Sequence, residues 1–287
     1  MARFHERGAR LKARTTGRRE SYTQGFTLIE MAIVMVVIGL LLSGGILALA
    51  PVIQSSKTSD TNSRLDRVEQ ALLVYVIQNG CLPCPANPAT ASTVATAGQA
   101  VIGGVANPTP CTVGPAIVCD FRAGATVPGV VPWITLGLSE ADATDGFGNR
   151  IAYTISNGLQ VTNGMERTPP ATYPSGTITV YNYAVTEPST AQQTPAAAYV
   201  LVSYGPDASF GHAAGTGALQ AAKYGQTAGD TSPEGTNATG GGGNNLFVQD
   251  TLYGVGGAGY FDDIVRWRTA PNIIQSCGSN ACGNPAQ

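Results

Sequence analysis

Charged residues are scarce in this chain, and the basic ones are unevenly distributed. Only 12% of the 287 residues are charged. Seven of the 16 Lys and Arg lie in residues 1–25, so the rest of the chain carries nine basic groups against 16 acidic ones. Nucleic-acid binding needs Lys and Arg clustered on the folded surface. We therefore expect no nucleic-acid partner.

Histidine is almost absent, which limits the catalytic arrangements that the chain can form. Of the two histidines, His5 lies in the basic N-terminal segment and His212 in a Gly/Ala-rich stretch with no serine motif beside it. A Ser-His-Asp triad would have to use His212. We expect a protein that is not an enzyme.

One apolar run is long enough to cross a bilayer. Residues 31–50 contain no charge, and as a helix they would span about 30 Å. The basic residues before this run predict a cytoplasmic N-terminus and a body in the periplasm or outside the cell. A cleaved secretory signal is less favoured, because the apolar core of such a signal usually has only about 7–15 residues.

Beyond Pro51 the apolar residues occur with helical spacing. Leu65, Val68, Leu72 and Val76, with Tyr75 beside the last, recur every three or four residues among charged ones. The dipeptide at residues 79–80, Asn-Gly, is a typical helix end. The pattern predicts one long helix over about residues 27–78, kinked at Pro51.

A glutamate stands directly before the apolar run, in the stretch GFTLIE at residues 25–30. Together with the basic N-terminus and the two helical segments, this stretch resembles the type IV prepilin signature of pilins and of type II secretion pseudopilins. The resemblance implies that a prepilin peptidase removes residues 1–25 by cutting between Gly25 and Phe26. It also implies N-methylation of Phe26.

The resemblance implies an assembly role for Glu30. Cleavage creates an α-amino group on Phe26, and the Glu30 carboxylate of a neighbouring subunit would pair with it in a filament. The implied partners are other pilin or pseudopilin subunits, an inner-membrane assembly platform and the membrane. The alternative is that Glu30 merely lies at the cytoplasmic interface, since a lone carboxylate is costly inside a bilayer.

The rest of the chain has the features of a loop-rich β domain. Residues 150–156 and 159–162 flank an Asn-Gly pair that predicts a hairpin. Strands are expected within residues 176–185, 197–205 and 260–267, and a long Gly/Ala/Thr loop over 213–245. The predicted fold is α+β, a long N-terminal transmembrane and amphipathic helix packed on a small antiparallel sheet, with long irregular loops. The predicted divisions are the leader at 1–25, a transmembrane and assembly helix at 26–53, an amphipathic helix at 54–80 and a periplasmic or extracellular pilin domain at 81–287.

Two loops suggest a metal site through the same resemblance. Residues 202–211 and 260–267 are similar to the loops that hold a structural calcium ion in pseudopilins. The resemblance implies Asp207 and one or both of Asp262 and Asp263 as calcium ligands. The alternative is that Asp207 shapes a turn and that Asp262 and Asp263 are solvated. Carboxylates and backbone carbonyls are the ligands that Ca²⁺ prefers.

All six cysteines follow the apolar run, and an even number on the far side of a membrane predicts disulfides. A Cys277–Cys282 disulfide would close a small C-terminal loop. Cys81 and Cys84 would pair with Cys111 and Cys119, or each pair would close locally; the sequence does not choose. A redox C-x-x-C motif and a metal site are the alternatives.

The function that these features predict is a structural subunit of a type IV pilus or a type II secretion pseudopilus, located in the inner membrane and then in the filament. One alternative is a membrane-anchored periplasmic enzyme or C-x-x-C redox protein. Another is a minor tip adhesin or priming pilin, because removal of the leader leaves 262 of the 287 residues, which is large for a main shaft subunit.

Overall fold

The computed structural model of the protein describes residues 25–106, 111, 119–121, 128–166, 174–182, 192–240, 245–250, 257, 259–278 and 282–283, of which 42–50 and 192–195 are described by their backbone alone. The chain divides into two units, Met1–Ala50 and Pro51–Gln287. Apart from Gly25, the predicted leader lies outside the described residues.

The first element is the predicted long helix. Helix α1 spans Leu28–Asn79 and contains Pro51, so its predicted ends are confirmed to within one residue. It stops where Gly80 takes a left-handed backbone conformation with φ of 72°. Within the described part of the chain, no helix is both long and apolar enough to cross a membrane, and the transmembrane helix at residues 26–53 stays a prediction.

The second half of α1 supplies one side of a core. Leu65, Val68, Leu72 and Val76 are all buried, as their spacing predicts. Arg266 and Arg268 form ion pairs with Asp66 and Glu69 of the helix, so charged contacts flank the apolar seam. Both apolar burial and ion pairs therefore hold this second half of α1 against the rest of the second unit.

The remaining regular structure consists of strands, most of them short, and two short helices. Within the described residues these elements are β1 (Val101–Ile102), β2 (Val105–Ala106), β3 (Gly129–Val130), β4 (Asn149–Arg150), β5 (Ala152–Ile155), β6 (Ile178–Tyr181), β7 (Gln192–Ser203), β8 (His212–Ala213), α2 (Pro233–Thr239), β9 (Leu246–Val248), β10 (Ile264–Thr269) and α3 (Ala270–Ser276).

The main sheet is arranged around β7. Its strand order is β3-β5-β7-β6-β9, and β10 also pairs with β7. Most pairs are antiparallel, but β6 and β9 run parallel. The sheet is therefore mixed, which corrects the prediction of a purely antiparallel one.

Strand β7 is buried on both faces. Tyr199 and Leu201 belong to the core that contains the apolar side of α1, whereas Val200 and Val202 belong to a second core. Alternate side chains of a strand point to opposite faces, so one apolar run serves both cores. The second core also contains Phe247 and Phe261.

Two predictions for the loops are wrong. Strand β5 pairs with β3 and β7 rather than forming a hairpin with residues 159–162. The turn after β5 does use Gly158, with φ of 93°. Residues 213–245, expected to be a loop, contain the second residue of β8 and the whole of α2.

Three disulfides fasten the second unit. They join Cys81 to Cys111, Cys84 to Cys119, and Cys277 to Cys282. The two cysteines of the C-x-x-C motif are thus bonded to separate partners, one of the two arrangements that the sequence left open. At the C-terminus, the Gly283 amide donates to the Ile77 carbonyl at 2.9 Å, so the last disulfide loop lies against the end of α1.

Candidate functional sites

The start of α1 contains a reciprocal pair of hydrogen bonds between Thr27 and Glu30. The Glu30 amide donates to Thr27 Oγ1 at 3.3 Å, and the Thr27 amide donates to Glu30 Oε2 at 3.5 Å. This is the capping-box arrangement, which satisfies amides that have no partner within the helix. Glu30 therefore has a local structural contact, in addition to the assembly role that the sequence predicts for it.

Large apolar side chains surround the beginning of α1 and are exposed. Leu28 is 92% exposed and Leu41 is 69% exposed. The others that are exposed in this stretch are Phe26, Ile29, Met31, Ile33, Val34, Met35, Val36, Val37, Ile38 and Leu40. A helix that is apolar on every side needs a surrounding apolar phase or protein partners.

A group of buried carboxylates lies in the second unit. Asp207, Glu234 and Asp262 each offer an oxygen, and these three oxygens lie within 4.8 Å of one another. All three residues are buried. Buried carboxylates at this spacing need either a proton or a compensating charge, because each carboxylate loses its hydration and repels the others.

The sheet explains why Asp207 and Asp262 meet. Strands β7 and β10 are antiparallel, and Ser203 at the end of β7 faces Ile264 at the start of β10. Asp207 follows β7 by a short turn, and Asp262 lies two residues before the start of β10. Both aspartates therefore lie at the same end of this strand pair.

Gly205 permits the close approach of these two loops. Its φ is 60°, and a Cβ atom at this position would lie 2.3 Å from Asp262 Oδ1. A larger residue would collide with the carboxylate and would also strain the backbone. Beyond Gly205, Asp207 accepts hydrogen bonds from the amide and the hydroxyl of Ser209, each at 2.7 Å.

The third carboxylate comes from α2. Ser232 caps this helix by accepting a hydrogen bond from the Gly235 amide, and Pro233 occupies the first turn. Glu234 follows in the same turn and reaches the cluster, where its Oε1 accepts a hydrogen bond from the Asp262 amide at 3.3 Å.

Burial and mutual repulsion raise the pKa values of two of these carboxyl groups, those of Glu234 and Asp262. Burial, followed by the charges of Asp207 and Asp262, raises the pKa of Glu234 to about 8. Burial is also the main cause that raises the pKa of Asp262 to about 6. Among the described residues, neither Glu234 Oε2 nor Asp262 Oδ1 has a hydrogen-bond partner. The site therefore presents free oxygens to a cation.

Asp263 is placed differently from its two predicted companions. Its Oδ2 accepts a hydrogen bond from Asn237 Nδ2 at 2.8 Å, and burial raises its pKa well above the ordinary range. It is not part of the three-carboxylate group. The structure thus unites Asp207 and Asp262 and adds Glu234, which no motif in the sequence indicated.

His212, the histidine considered for a catalytic triad, lies beside residues that make structural contacts. His212 on β8 faces Arg150 on β4. Burial, with a smaller contribution from the charge of Arg150, lowers the pKa of His212 to about 4. Arg150 is fully buried, pairs with Glu140 at 2.8 Å and stacks on Trp133 at 4.9 Å. These contacts tie separate loops together.

Comparison with known proteins gives one match, at the N-terminus. The family model described as the prokaryotic N-terminal methylation motif matches residues 21–46. The chain therefore carries the prepilin-type signature. No curated protein and no solved structure matches the chain.

Proposed function

We propose that this chain is a structural subunit of a type IV pilus or a type II secretion pseudopilus. The observation that carries the proposal is the methylation motif over residues 21–46, located where α1 begins. The exposed apolar surface between Phe26 and Leu41 supports it, because a filament in which these helices pack together would bury that surface.

The proposed path begins in the inner membrane, with the N-terminus in the cytoplasm and the body in the periplasm. Prepilin peptidase cuts between Gly25 and Phe26, and Phe26 is then N-methylated. The assembly platform adds the mature chain to other subunits. The body faces outward in the filament, where it provides subunit contacts or adhesion.

In this proposal Glu30 exchanges or shares its partners during assembly. In the single chain its carboxylate accepts a hydrogen bond from the Thr27 amide. In the filament it pairs with the α-amino group of Phe26 in a neighbouring subunit. A charge-assisted pair in apolar surroundings is strong and directional, so it would set the axial position of each subunit.

Substitutions at the capping box separate the two roles of Glu30. Gln is accepted at this position of a capping box, so Glu30→Gln keeps the cap and removes the charge. We expect Glu30→Gln and Glu30→Val both to insert into the membrane and both to fail to enter filaments. Thr27→Ser, which keeps the capping hydroxyl, is the matched control and should assemble normally.

The readout is the fraction of each variant recovered in sheared filaments, with membrane insertion measured in parallel. Normal incorporation of Glu30→Gln would contradict the charge-pairing role and leave capping as the role of Glu30.

We propose, second, that Asp207, Glu234 and Asp262 hold a calcium ion. The free buried oxygens of Glu234 and Asp262 favour this proposal, because a hard cation takes oxygen ligands. Calcium takes about six to eight oxygens, so backbone carbonyls or water would complete the set. When bound, the ion supplies positive charge to a region whose acidic groups repel one another.

Calcium titration of the full chain in detergent tests this second proposal. At about 100 times its dissociation constant, a ligand that binds only the folded state adds about 2.7 kcal/mol to the free energy of unfolding. We expect a higher melting temperature with Ca²⁺ and no such rise in Asp207→Asn. An unchanged melting temperature in the wild-type protein, with no heat of binding in calorimetry, would contradict the site.

A further inference from the structure

Residues 223–239, here called the α2 segment, are attached to the loop before β10 on one side by an aromatic contact. The rings of Tyr224 and Tyr260 lie with their centroids 4.3 Å apart. Gln226 Nε2 also donates to the Tyr260 carbonyl at 3.1 Å. Both contacts join the beginning of the α2 segment to the residues just before Asp262.

The end of the α2 segment is attached to the same loop and to β9. Asn237 Nδ2 donates to Asp263 Oδ2 at 2.8 Å, and Asn237 Oδ1 accepts from the Val248 amide at 2.7 Å. Glu234 lies between these two anchoring regions, and its Oε1 accepts from the Asp262 amide. The segment is thus held at several points along its length.

Electrostatic repulsion at Glu234, in the middle of the α2 segment, opposes this attachment. Glu234 enters a region that already contains Asp207 and Asp262, and like charges this close repel. The nearby ammonium group of Lys223 donates to the Asp207 carbonyl oxygen rather than to a carboxylate. A cation among the three carboxylates would turn this repulsion into attraction.

We propose that Glu234 is a ligand of the calcium ion and that the ion fastens the α2 segment to the loops that carry Asp207 and Asp262. This inference depends on the calcium site proposed above. Two of the ligands follow from the antiparallel pairing of β7 and β10, whereas Glu234 comes from a separate helix. The ion is therefore a cross-link between the sheet end and the α2 segment.

The consequence concerns the surface of the second unit. Tyr224 is 46% exposed although its ring packs on Tyr260. Tyr224 belongs to the α2 segment, so the surface around it would keep this arrangement only while calcium holds the segment in place. Removal of calcium should loosen residues 223–239 selectively and leave β7, at the centre of the sheet, protected.

Hydrogen exchange measured by mass spectrometry on the full chain in detergent tests this inference. With Ca²⁺, amides of residues 223–239 should exchange at least about tenfold more slowly than without it, because docking suppresses local opening. Glu234→Gln should abolish that difference and weaken calcium binding.

Glu166→Gln is the matched control, since it makes the same substitution at a residue that contributes no atom to the cluster. It should behave like the wild type. Glu234→Asp is a second variant, which keeps the charge but shortens its reach, and it should bind calcium more weakly.

The outcomes separate the two proposals. Absence of calcium binding to the wild-type chain would overturn both. Calcium binding with unchanged exchange at residues 223–239 would overturn the fastening role alone. Undiminished calcium binding by Glu234→Gln would remove Glu234 from the ligand set.

Discussion

The two units of this chain leave opposite kinds of group without a partner. In Met1–Ala50, the described apolar side chains at the start of α1 are exposed, with Leu28 at 92%. In the described part of Pro51–Gln287, apolar side chains are buried on both faces of the sheet, and three carboxylate oxygens and two amide oxygens are buried without hydrogen bonds. The first region calls for an apolar environment and the second for a cation.

The second unit is stabilised by contacts within the chain, whereas the apolar side chains at the start of α1 need a partner outside it. A buried apolar core and three disulfides stabilise the second unit from within. The apolar side chains at the start of α1 are exposed, and they gain stability only when a partner covers them. Substitutions in the two regions should therefore affect different measurements.

The largest expected effect comes from loss of a disulfide in the second unit. Cys81 and Cys111 are 30 residues apart, and a closed loop of this size restricts the unfolded chain by about 4 kcal/mol. The double substitution Cys81→Ser/Cys111→Ser should lower the free energy of unfolding by up to that amount. Cleavage at Gly25 should be unaffected.

The control for this prediction is the small loop at the C-terminus. Cys277 and Cys282 are five residues apart, and the same relation gives about 2 kcal/mol for Cys277→Ser/Cys282→Ser. Urea denaturation of the detergent-solubilised chain measures both. A larger loss from the short loop than from the long one would contradict the chain-entropy account.

The next effect compares two leucines of the same helix. Leu72 is 1% exposed and Leu41 is 69% exposed. Leu72→Ala should lower the free energy of unfolding by about 3 kcal/mol, because it leaves a cavity. Leu41→Ala should change that free energy by less than about 0.5 kcal/mol but reduce incorporation into filaments.

Urea denaturation and filament fractionation on the same two variants check this pair. The contrast between the units fails if Leu41→Ala destabilises the single chain as strongly as Leu72→Ala, since that would place both leucines in one core.

The smallest effect is a pH dependence confined to the second unit. The pKa of His212 is lowered to about 4 from an ordinary value of 6.5. The folded state therefore resists protonation of His212 that the unfolded state accepts. The stability linked to His212 is present above pH 6.5 and is lost as the pH falls toward 4.

His212→Asn should consequently weaken the loss of stability between pH 6.5 and 4. The measurement is the difference between the unfolding curves of the variant and the wild type, both in EDTA, so that the carboxylate cluster contributes equally. Identical pH profiles would show that His212 is not held neutral by its surroundings.

Some parts of this structure could be predicted because a local pattern determines them. The spacing of Leu65, Val68 and Leu72 identifies a helix face, and Gly80 marks its end. The apolar run in β7 also predicts a strand, and the structure buries that run on both faces of the sheet. In each case, residues close together in the sequence are sufficient to predict the element.

Helix α2 was missed although it has correct start and stop residues. Ser232 caps it, Pro233 opens it, and Gly240 ends it with φ of 57°. Its seven residues are too few to display helical periodicity, and its Gly, Thr and Asn have low helix propensity. Packing against β9, including the contact of Asn237 with Val248, stabilises it instead.

The candidate cation site was only partly predictable for the same reason. Asp207 and Asp262 lie in loops that resemble a known pattern, whereas Glu234 is brought to them only by the fold. The burial of Arg150 is a similar case, since no spacing in the sequence distinguishes it from the exposed arginines. Such residues are identified by tertiary contacts alone.

The central claim is that the first unit is a processed assembly segment, and the mature N-terminus tests it most directly. N-terminal sequencing and mass spectrometry should be carried out on the protein from cells with and without prepilin peptidase. The account predicts a methylated Phe26 at the N-terminus when the peptidase is present and the uncut leader when it is absent. A mature chain that begins at another residue, or at Phe26 without the peptidase, would contradict it.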